Sequence, residues 1–401
     1  MEMDIEQQRT ESPPERSRFI NPNFVRLWIA GSLSRLGDTI FEITLTVWIA
    51  SQLAEGEDWS ALAVTGLLVA SAIPVLLVGP IAGALIDRWP NKRRVILRAD
   101  IVSAALILLL IPAAGIVKIP GIDHFPLWWR LGSIFVIVLL ASVVAQFFSP
   151  ASQVMLRDIV PDEDRARAAS LSQATSNLAV LIGPSLAAPV LFAFGASWAL
   201  LFNAASFFVS FLFMRSLKVS EPLVEEQEME AATPGAVAHD IREGLQFFRN
   251  SPALTTLAVS FIILMVGVGA LNTLDIFFVT NNLSTSAKNY GFLVSAQGAS
   301  MVVGAIIWGR IIERIGPVRA VWIGLLMIGV LMIVYARLTS FEAAIVLGVL
   351  FGFATPAINV AMGPIFFRVT PREYVGRVNA TFAPIISASM MLGVLGSGVL
   401  Y

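Results

Sequence analysis

Eleven long apolar segments, separated by short polar stretches, make up most of this 401-residue chain. Each reaches the ~20 residues that a helix needs to cross the hydrocarbon of a bilayer. An isolated span satisfies its backbone in lipid only as a helix. The chain is therefore predicted to be an all-α integral membrane protein with about eleven spans. The segments lie at about 24–52, 62–86, 94–116, 129–156, 167–193, 196–217, 253–280, 289–313, 318–338, 341–368 and 378–401.

The composition excludes several classes of protein. Hydrophobic residues make up 56% of the chain and charged residues 14%, whereas soluble domains are about 25% charged. A net charge of −1 gives no argument for a nucleic-acid partner. With no cysteine and only two histidines, we expect no metal and no other cofactor. The chain also lacks a Gly-Lys-Ser/Thr phosphate loop, so ATP is not indicated as the energy source.

The distribution of Lys and Arg predicts the orientation in the membrane. If the N-terminus is cytoplasmic, 22 of the 27 Lys and Arg residues fall on the cytoplasmic side, four fall in external loops and Arg35 lies within the first span. Positive residues concentrate on the cytoplasmic side of membrane proteins. We therefore expect a multi-pass protein of a bacterial-type cytoplasmic membrane, surrounded by lipid, with a cytoplasmic N-terminus.

A repeated unit divides the chain into two related parts. "GALIDRWPNKRRV" (83–95) follows the second span, and "GRIIERIGPVRAV" (309–321) follows the eighth. "PDEDRARAA" (161–169) and "PREYVGRVN" (371–379) form a further matching pair. Repeats of six spans with a substrate site between them are common in secondary transporters. The predicted organisation is a cytoplasmic tail (1–23), a six-helix half (24–217), a cytoplasmic linker with an amphipathic helix at 236–248 (218–252), and a second half (253–401).

The pattern Gly83-x-x-x-Asp87-Arg88-x-x-x-Lys92-Arg93 resembles the loop signature of the major facilitator superfamily. The stretches "NPNFVRLWIAGSLSRLGD", "FFSPASQVMLRDIVPDED" and "IREGLQFFRNSPAL" resemble its drug-efflux branch, which includes macrolide exporters. The resemblance implies two six-helix halves with the last span missing, because the chain stops within span eleven. It also implies siderophore exporters and lysophospholipid carriers as relatives.

The two repeated loops are predicted to gate the transporter. Asp87 can cap the N-terminus of a neighbouring helix, which the resemblance identifies as span eleven, and Arg88 and Arg93 can pair with acids. Lys92 can anchor the loop at the lipid surface. The alternative is a loop whose positive charge only sets the topology. The second copy consists of Gly309, Glu313, Arg314 and Arg319.

Three ionisable residues lie within the first span at helical spacing: Arg35, Asp38 and Glu42. Because a charge at the centre of a membrane helix costs roughly 2.5–3.5 kcal/mol, we expect all three to face the protein interior. Arg35 can hold Asp38 ionised. Glu42 has only another acid nearby, which makes it the predicted proton-responsive group. The alternative is a structural ion pair that joins the first span to a neighbour.

Three further residues are candidates for proton or substrate contacts. Asp275 is the acid of span seven, the counterpart of span one, and Gln146 and Asn359 lie in the middle of their spans. The alternatives are a solvated acid near the outer mouth for Asp275 and interhelical hydrogen bonds for the two amides.

The leading interpretation is proton-coupled export of an amphipathic small molecule, of macrolide or drug type, by alternating access. A siderophore or a lysophospholipid is the alternative cargo. A second class, an integral-membrane enzyme, would need a catalytic cluster that two histidines and no cysteine do not offer, so we predict no enzymatic activity. A third class is a transport-inactive structural or assembly subunit of a larger membrane complex that keeps the transporter fold.

Overall fold

The computed structural model describes residues 20–54, 56–89, 91–116, 126–217, 252–369 and 375–400. Within these ranges the chain is helical and contains no strand, which confirms the predicted all-α class. The N-terminal tail before residue 20 and the predicted amphipathic helix at 236–248 lie outside the described residues. The helices are α1 (Pro22–Trp48), α2 (Ser60–Leu77), α3 (Gly79–Arg88), α4 (Lys92–Ala113), α5 (Leu127–Ile159), α6 (Arg165–Phe194), α7 (Ala196–Arg215), α8 (Pro252–Phe277), α9 (Ala287–Ile315), α10 (Pro317–Tyr335), α11 (Phe341–Val369) and α12 (Val375–Leu400).

The helices follow the predicted apolar segments closely. Eight stretches of the described residues are long and apolar enough to cross a membrane. The total of eleven spans stays a prediction. The predicted second span consists of two helices, α2 and α3, that meet at Val78. Pro80 lies in the first turn of α3, where its missing N–H removes no helical hydrogen bond.

Local sequence explains where several helices begin and end. The Asn21 side chain accepts a hydrogen bond from the Phe24 N–H (2.7 Å) and so caps the N-terminus of α1. Its amide also donates to the Ile159 carbonyl (2.7 Å), which joins the start of α1 to the end of α5. Gly195 (φ 88°) separates α6 from α7 and Gly316 (φ 85°) separates α9 from α10. Glycine is favoured at both because other residues rarely adopt positive φ.

The helices pack as two bundles that touch along two seams. In the first half, α1 packs against α6 and α7, and α4 packs against α5 and α7. In the second half, α8 packs against α12, and α11 packs against α9 and α10. Between the halves, α6 contacts α9 and α2 contacts α12.

The first helix of each half ends in the same unusual way. A π-helical turn, Ile49–Leu53, follows α1, and another, Phe278–Asn282, follows α8. Such turns are rare, so their recurrence at corresponding places supports the internal repeat.

We name the two ends of the bundle by residues that lie there. The Trp59 side carries residues 49–54 and 56–60, and the Arg93 side carries residues 88–89 and 91–94. At the Trp59 side one apolar core joins the halves, because Ile276, Phe277 and Val394 pack with residues of the first half. Gly398 of α12 lies directly against the Thr65 side chain of α2. The Trp59 side is therefore closed.

A glycine seam between α8 and α12 gives a stability prediction. A Cβ at Gly269 would overlap the Met390 carbonyl, and one at Gly393 would overlap the Val266 carbonyl. Gly269→Ala should therefore force the helices apart and destabilise the protein by about 1–3 kcal/mol. It should lower the apparent unfolding temperature of the purified protein in detergent.

The matched control, Gly267, lies two residues before Gly269 on the same helix. A Cβ at Gly267 would meet nothing within 4 Å. Gly267→Ala should leave the unfolding temperature unchanged or raise it, because Ala is the better helix former. Equal unfolding temperatures for the two variants would contradict the close packing of α8 against α12 at Gly269.

Candidate functional site

The main cavity has a volume of about 330 Å³ and lies between the first half and α12. It begins beneath the closed seam at Leu45, Leu67 and Val394 and reaches the middle of α1 and α12 at Asp38 and Ser387. Most of its wall is apolar, and a few polar groups interrupt it, as is typical of sites for small molecules. The polar lining residues are Asp38, Glu42, Ser71, Ser142, Gln146, Asn203 and Ser387.

The two cavity acids come from one face of α1. Asp38 and Glu42 are one turn apart and line the cavity together with Phe41 and Leu45. Glu42 is exposed to the cavity, whereas Asp38 is half-buried beside Asn203 of α7. The structure thus brings together two carboxyl groups in a wall that is otherwise largely apolar.

Arg35 does not form the predicted pair with Asp38. It is exposed, and among the described residues no ion pair with a nitrogen–oxygen distance within 4.0 Å joins the two. Its charge acts on Asp38 only over a longer distance. The physical reason is that Asp38 turns towards the cavity and Asn203, while Arg35, one turn earlier, does not line the cavity.

The other amide and acid candidates have different surroundings. Gln146 lines the main cavity and its Nε2 donates to the Ser142 carbonyl (3.2 Å). Asp275 instead lines a separate cavity of about 50 Å³ within the second half, with Gln297 and Phe351. Its Oδ1 accepts a hydrogen bond from the Tyr335 hydroxyl (2.6 Å). Asn359 is exposed and lines neither cavity.

The first predicted gate loop lies on the Arg93 side, between α3 and α4. Arg93 donates through Nε to the Met214 carbonyl (3.0 Å) and through its terminal nitrogen to the Arg215 carbonyl. It therefore binds the C-terminus of α7, where a cation is favourable, rather than an acid. A Cβ at Gly83 would meet nothing within 4 Å.

The remaining residues of the two predicted gate loops do not test the gating role, which stays a prediction. The side chains of Asp87 and Arg88 lie outside the described part of the structure, as do residues 370–374. Lys92 is the first residue of α4. In the second copy, Gly309 has open space around it, and Glu313, Arg314 and Arg319 are exposed.

Asp100 of α4 was missed by the sequence analysis. Its exposure is 1%, and Ser210 of α7 donates to its Oδ2 (2.8 Å). The signal is present in the sequence as an acid inside the third apolar segment. It was hidden because Arg98 and the other cations just before it give that stretch the composition of a membrane edge.

Comparison with known proteins agrees with this architecture. The family model described as Major Facilitator Superfamily matches residues 27–280 and 267–401. The chain belongs to the major facilitator superfamily. This confirms the predicted family and, with it, a multi-pass membrane transporter that acts on a small molecule. Members of this family are transporters rather than enzymes.

Two relatives place this transporter near drug-efflux proteins. Macrolide efflux protein A of Streptococcus pyogenes is 18% identical over 94% of this chain and 88% of its own length. The multidrug efflux pump Tap of Mycolicibacterium fortuitum is 26% identical over 88% of this chain and 83% of its own. The predicted resemblance to the drug-efflux branch is therefore confirmed.

A solved structure supports the fold. The crystal structure of nucleoside transporter NupG superposes with a TM-score of 0.69 over 95% of this transporter and 91% of that chain, at 12% identity. At this identity the likeness concerns the fold alone.

Proposed function

We propose that this transporter exports amphipathic, drug-like small molecules, macrolides among them, in exchange for protons by alternating access. The observation that carries the proposal is the main cavity, in which Asp38 and Glu42 are the acids of a largely apolar wall. The apolar wall suits the body of an amphipathic molecule, and the carboxyl groups can bind and release protons. The similarity to macrolide and multidrug efflux proteins supports this substrate class.

The proposed orientation puts the N-terminus and the Arg93 side in the cytoplasm of a bacterial-type cell membrane. The excess of Lys and Arg on that side supports it. The closed Trp59 side is then the external side. In this arrangement a substrate enters the cavity from the cytoplasm, and export requires the α2–α12 seam to open.

The experiment is uptake into proteoliposomes that contain the purified transporter. The panel comprises radiolabelled erythromycin, ethidium, a lysophosphatidylcholine and an iron-loaded siderophore, each measured with and without an imposed pH gradient. We expect accumulation of erythromycin or ethidium only when the lumen is acidic, because proton exit then drives uptake. Liposomes without protein are the control.

Three outcomes would overturn the proposal. Accumulation that ignores the pH gradient would remove the proton coupling. Selective uptake of the lysolipid or the siderophore would change the substrate class. Failure to move any compound, while the protein is folded and reconstituted, would favour a transport-inactive subunit.

A further inference from the structure

The strongest unexplained feature of the first half is the buried carboxyl group of Asp100. Ser210 Oγ donates to its Oδ2 (2.8 Å), and its Oδ1 is buried without a hydrogen-bond partner among the described residues. A buried carboxylate oxygen with no donor is costly to keep charged. A proton on that oxygen removes the cost, so the geometry suits a group that binds a proton.

A row of polar residues on α7 leads from Asp100 towards the main cavity. Asn203, Ser206 and Ser210 are each at most 2% exposed, and their spacing places them on one helical face. We call these three residues the α7 polar row. It spans about 10 Å at 1.5 Å per residue. Ser206 Oγ donates to the Asn203 carbonyl (2.8 Å) and contacts its side-chain oxygen (3.3 Å).

The other end of the α7 polar row lies at the cavity acid. Asn203 lines the cavity beside Asp38, with its side-chain amide next to the Asp38 carboxyl group. Gly37 lets α1 approach closely, because a Cβ there would lie 2.6 Å from Asn203 Oδ1 and would overlap Ser206 Oγ. Asp38 and Asp100 are near enough to interact electrostatically.

We propose that Asp100 is a second proton-binding carboxyl of this transporter, which takes its proton from Asp38 along the α7 polar row and releases it on the Arg93 side. The proposal rests on the proposed proton coupling. In the transfer the Asp38 acid becomes a carboxylate and the Asp100 carboxylate becomes the acid. Each residue of the α7 polar row passes on as many protons as it receives, so its protonation state is unchanged at the end. From Asp100 the start of α4 is about 12 Å away along the helix.

The charged groups around Asp100 are compatible with this role. On α1, Asp38 is the charged group that acts on it, and α7 presents the uncharged Ser210. The third helix packed near it, α5, has no titratable residue from Leu131 to Leu156. On its own helix, Arg93 is bound to carbonyl groups of α7, and Arg94 and Arg98 are exposed. Because no described ion pair joins Asp100 to a cation, the carboxyl is free to change its charge.

The first test needs no substrate. Infrared difference spectra of the purified protein, recorded between acidic and alkaline buffer, report each carboxyl group that takes up a proton through its C=O band. We expect Asp100→Asn to remove one band of the wild-type spectrum and Asp38→Asn to move the pH midpoint of that band. An Asp100→Asn spectrum identical to wild type would overturn the proposal, whether or not the protein transports erythromycin.

The second test separates the relay from a structural role, with erythromycin as the probe in proteoliposomes. Asp100→Asn should reduce gradient-driven uptake about tenfold or more, since a group that transfers a proton typically contributes at least this much. Exchange of labelled for unlabelled erythromycin should persist, because it needs no net proton movement. Loss of exchange and driven uptake together would show that Asp100 has only a structural role, in the hydrogen bond that joins α4 to α7.

Two controls keep the outcomes distinct. If wild type shows no gradient-driven uptake, the proposed function fails, whereas the infrared test still decides whether Asp100 binds a proton. If Asp100→Asn does not fold, Ser210→Ala replaces it. Removal of the hydroxyl donor should then move the midpoint of the Asp100 band, and an unmoved midpoint would contradict the proposal.

Discussion

Replacement of Glu42 by Gln is expected to abolish transport driven by a pH gradient while substrate exchange continues. Gln keeps the size and the hydrogen-bonding capacity of Glu but cannot bind or release a proton. Glu42 lines the main cavity, exposed to its interior, one turn from Asp38. Gradient-driven uptake should fall about tenfold or more, the usual minimum for loss of a proton-transferring side chain.

The measurement uses the same proteoliposomes in driven and exchange modes. Glu342→Gln is the matched control, because Glu342 is an exposed acid in the first turn of α11 and lines neither cavity. This control should behave as wild type in both modes. If driven uptake survives in Glu42→Gln but is lost in Asp275→Asn, the coupling group lies on α8 and the assignment to α1 is wrong.

The absence of an Arg35–Asp38 ion pair changes which of the two cavity acids is expected to bind protons. A paired Asp38 would stay ionised and leave Glu42 to carry the proton alone. With Arg35 exposed and outside ion-pair range, Asp38 can also take up a proton. Glu42 is then the group nearer the closed Trp59 side, and Asp38 is the group nearer the α7 polar row.

The large features of this fold could be predicted from sequence because lipid imposes them. The length of each apolar segment was sufficient to predict the helices. The recurrence of the loop after the second and eighth spans predicted an internal repeat, which the matching π-helical turns after α1 and α8 support. The cost of a charge in the membrane likewise singled out Arg35, Asp38 and Glu42, of which the two acids line the main cavity and Arg35 does not.

The details of the site depend on which faces of the helices meet, and sequence does not show this. Asn359 and Gln146 both lie in the middle of apolar segments, yet only Gln146 lines the main cavity. Asp100 lies close to a run of cations, so its burial depends on how α4 packs against α7. The spacing of Asn203, Ser206 and Ser210 is visible in the sequence, but its meaning depends on their contact with α1.

Obstruction of the main cavity should give a different result from loss of a proton site. Ala141 of α5 lines the same cavity as the acids of α1, and Trp at this position would occupy part of the 330 Å³. We expect Ala141→Trp to lower both driven uptake and exchange of erythromycin about tenfold or more, because a bound molecule makes most of its contacts with the cavity wall.

The adjacent residue provides the control for this substitution. Leu140 precedes Ala141 on α5, is 44% exposed and does not line the cavity. Leu140→Trp adds a bulky side chain to the same helix and should leave both transport modes near wild type.

Equal losses in the two variants would mean that α5 does not tolerate a larger side chain at either position. Normal exchange in Ala141→Trp would show that the substrate does not pass through this cavity. Loss of both modes in Ala141→Trp, set against loss of driven uptake alone in Glu42→Gln, would separate the substrate-binding function of the cavity from its proton-binding function.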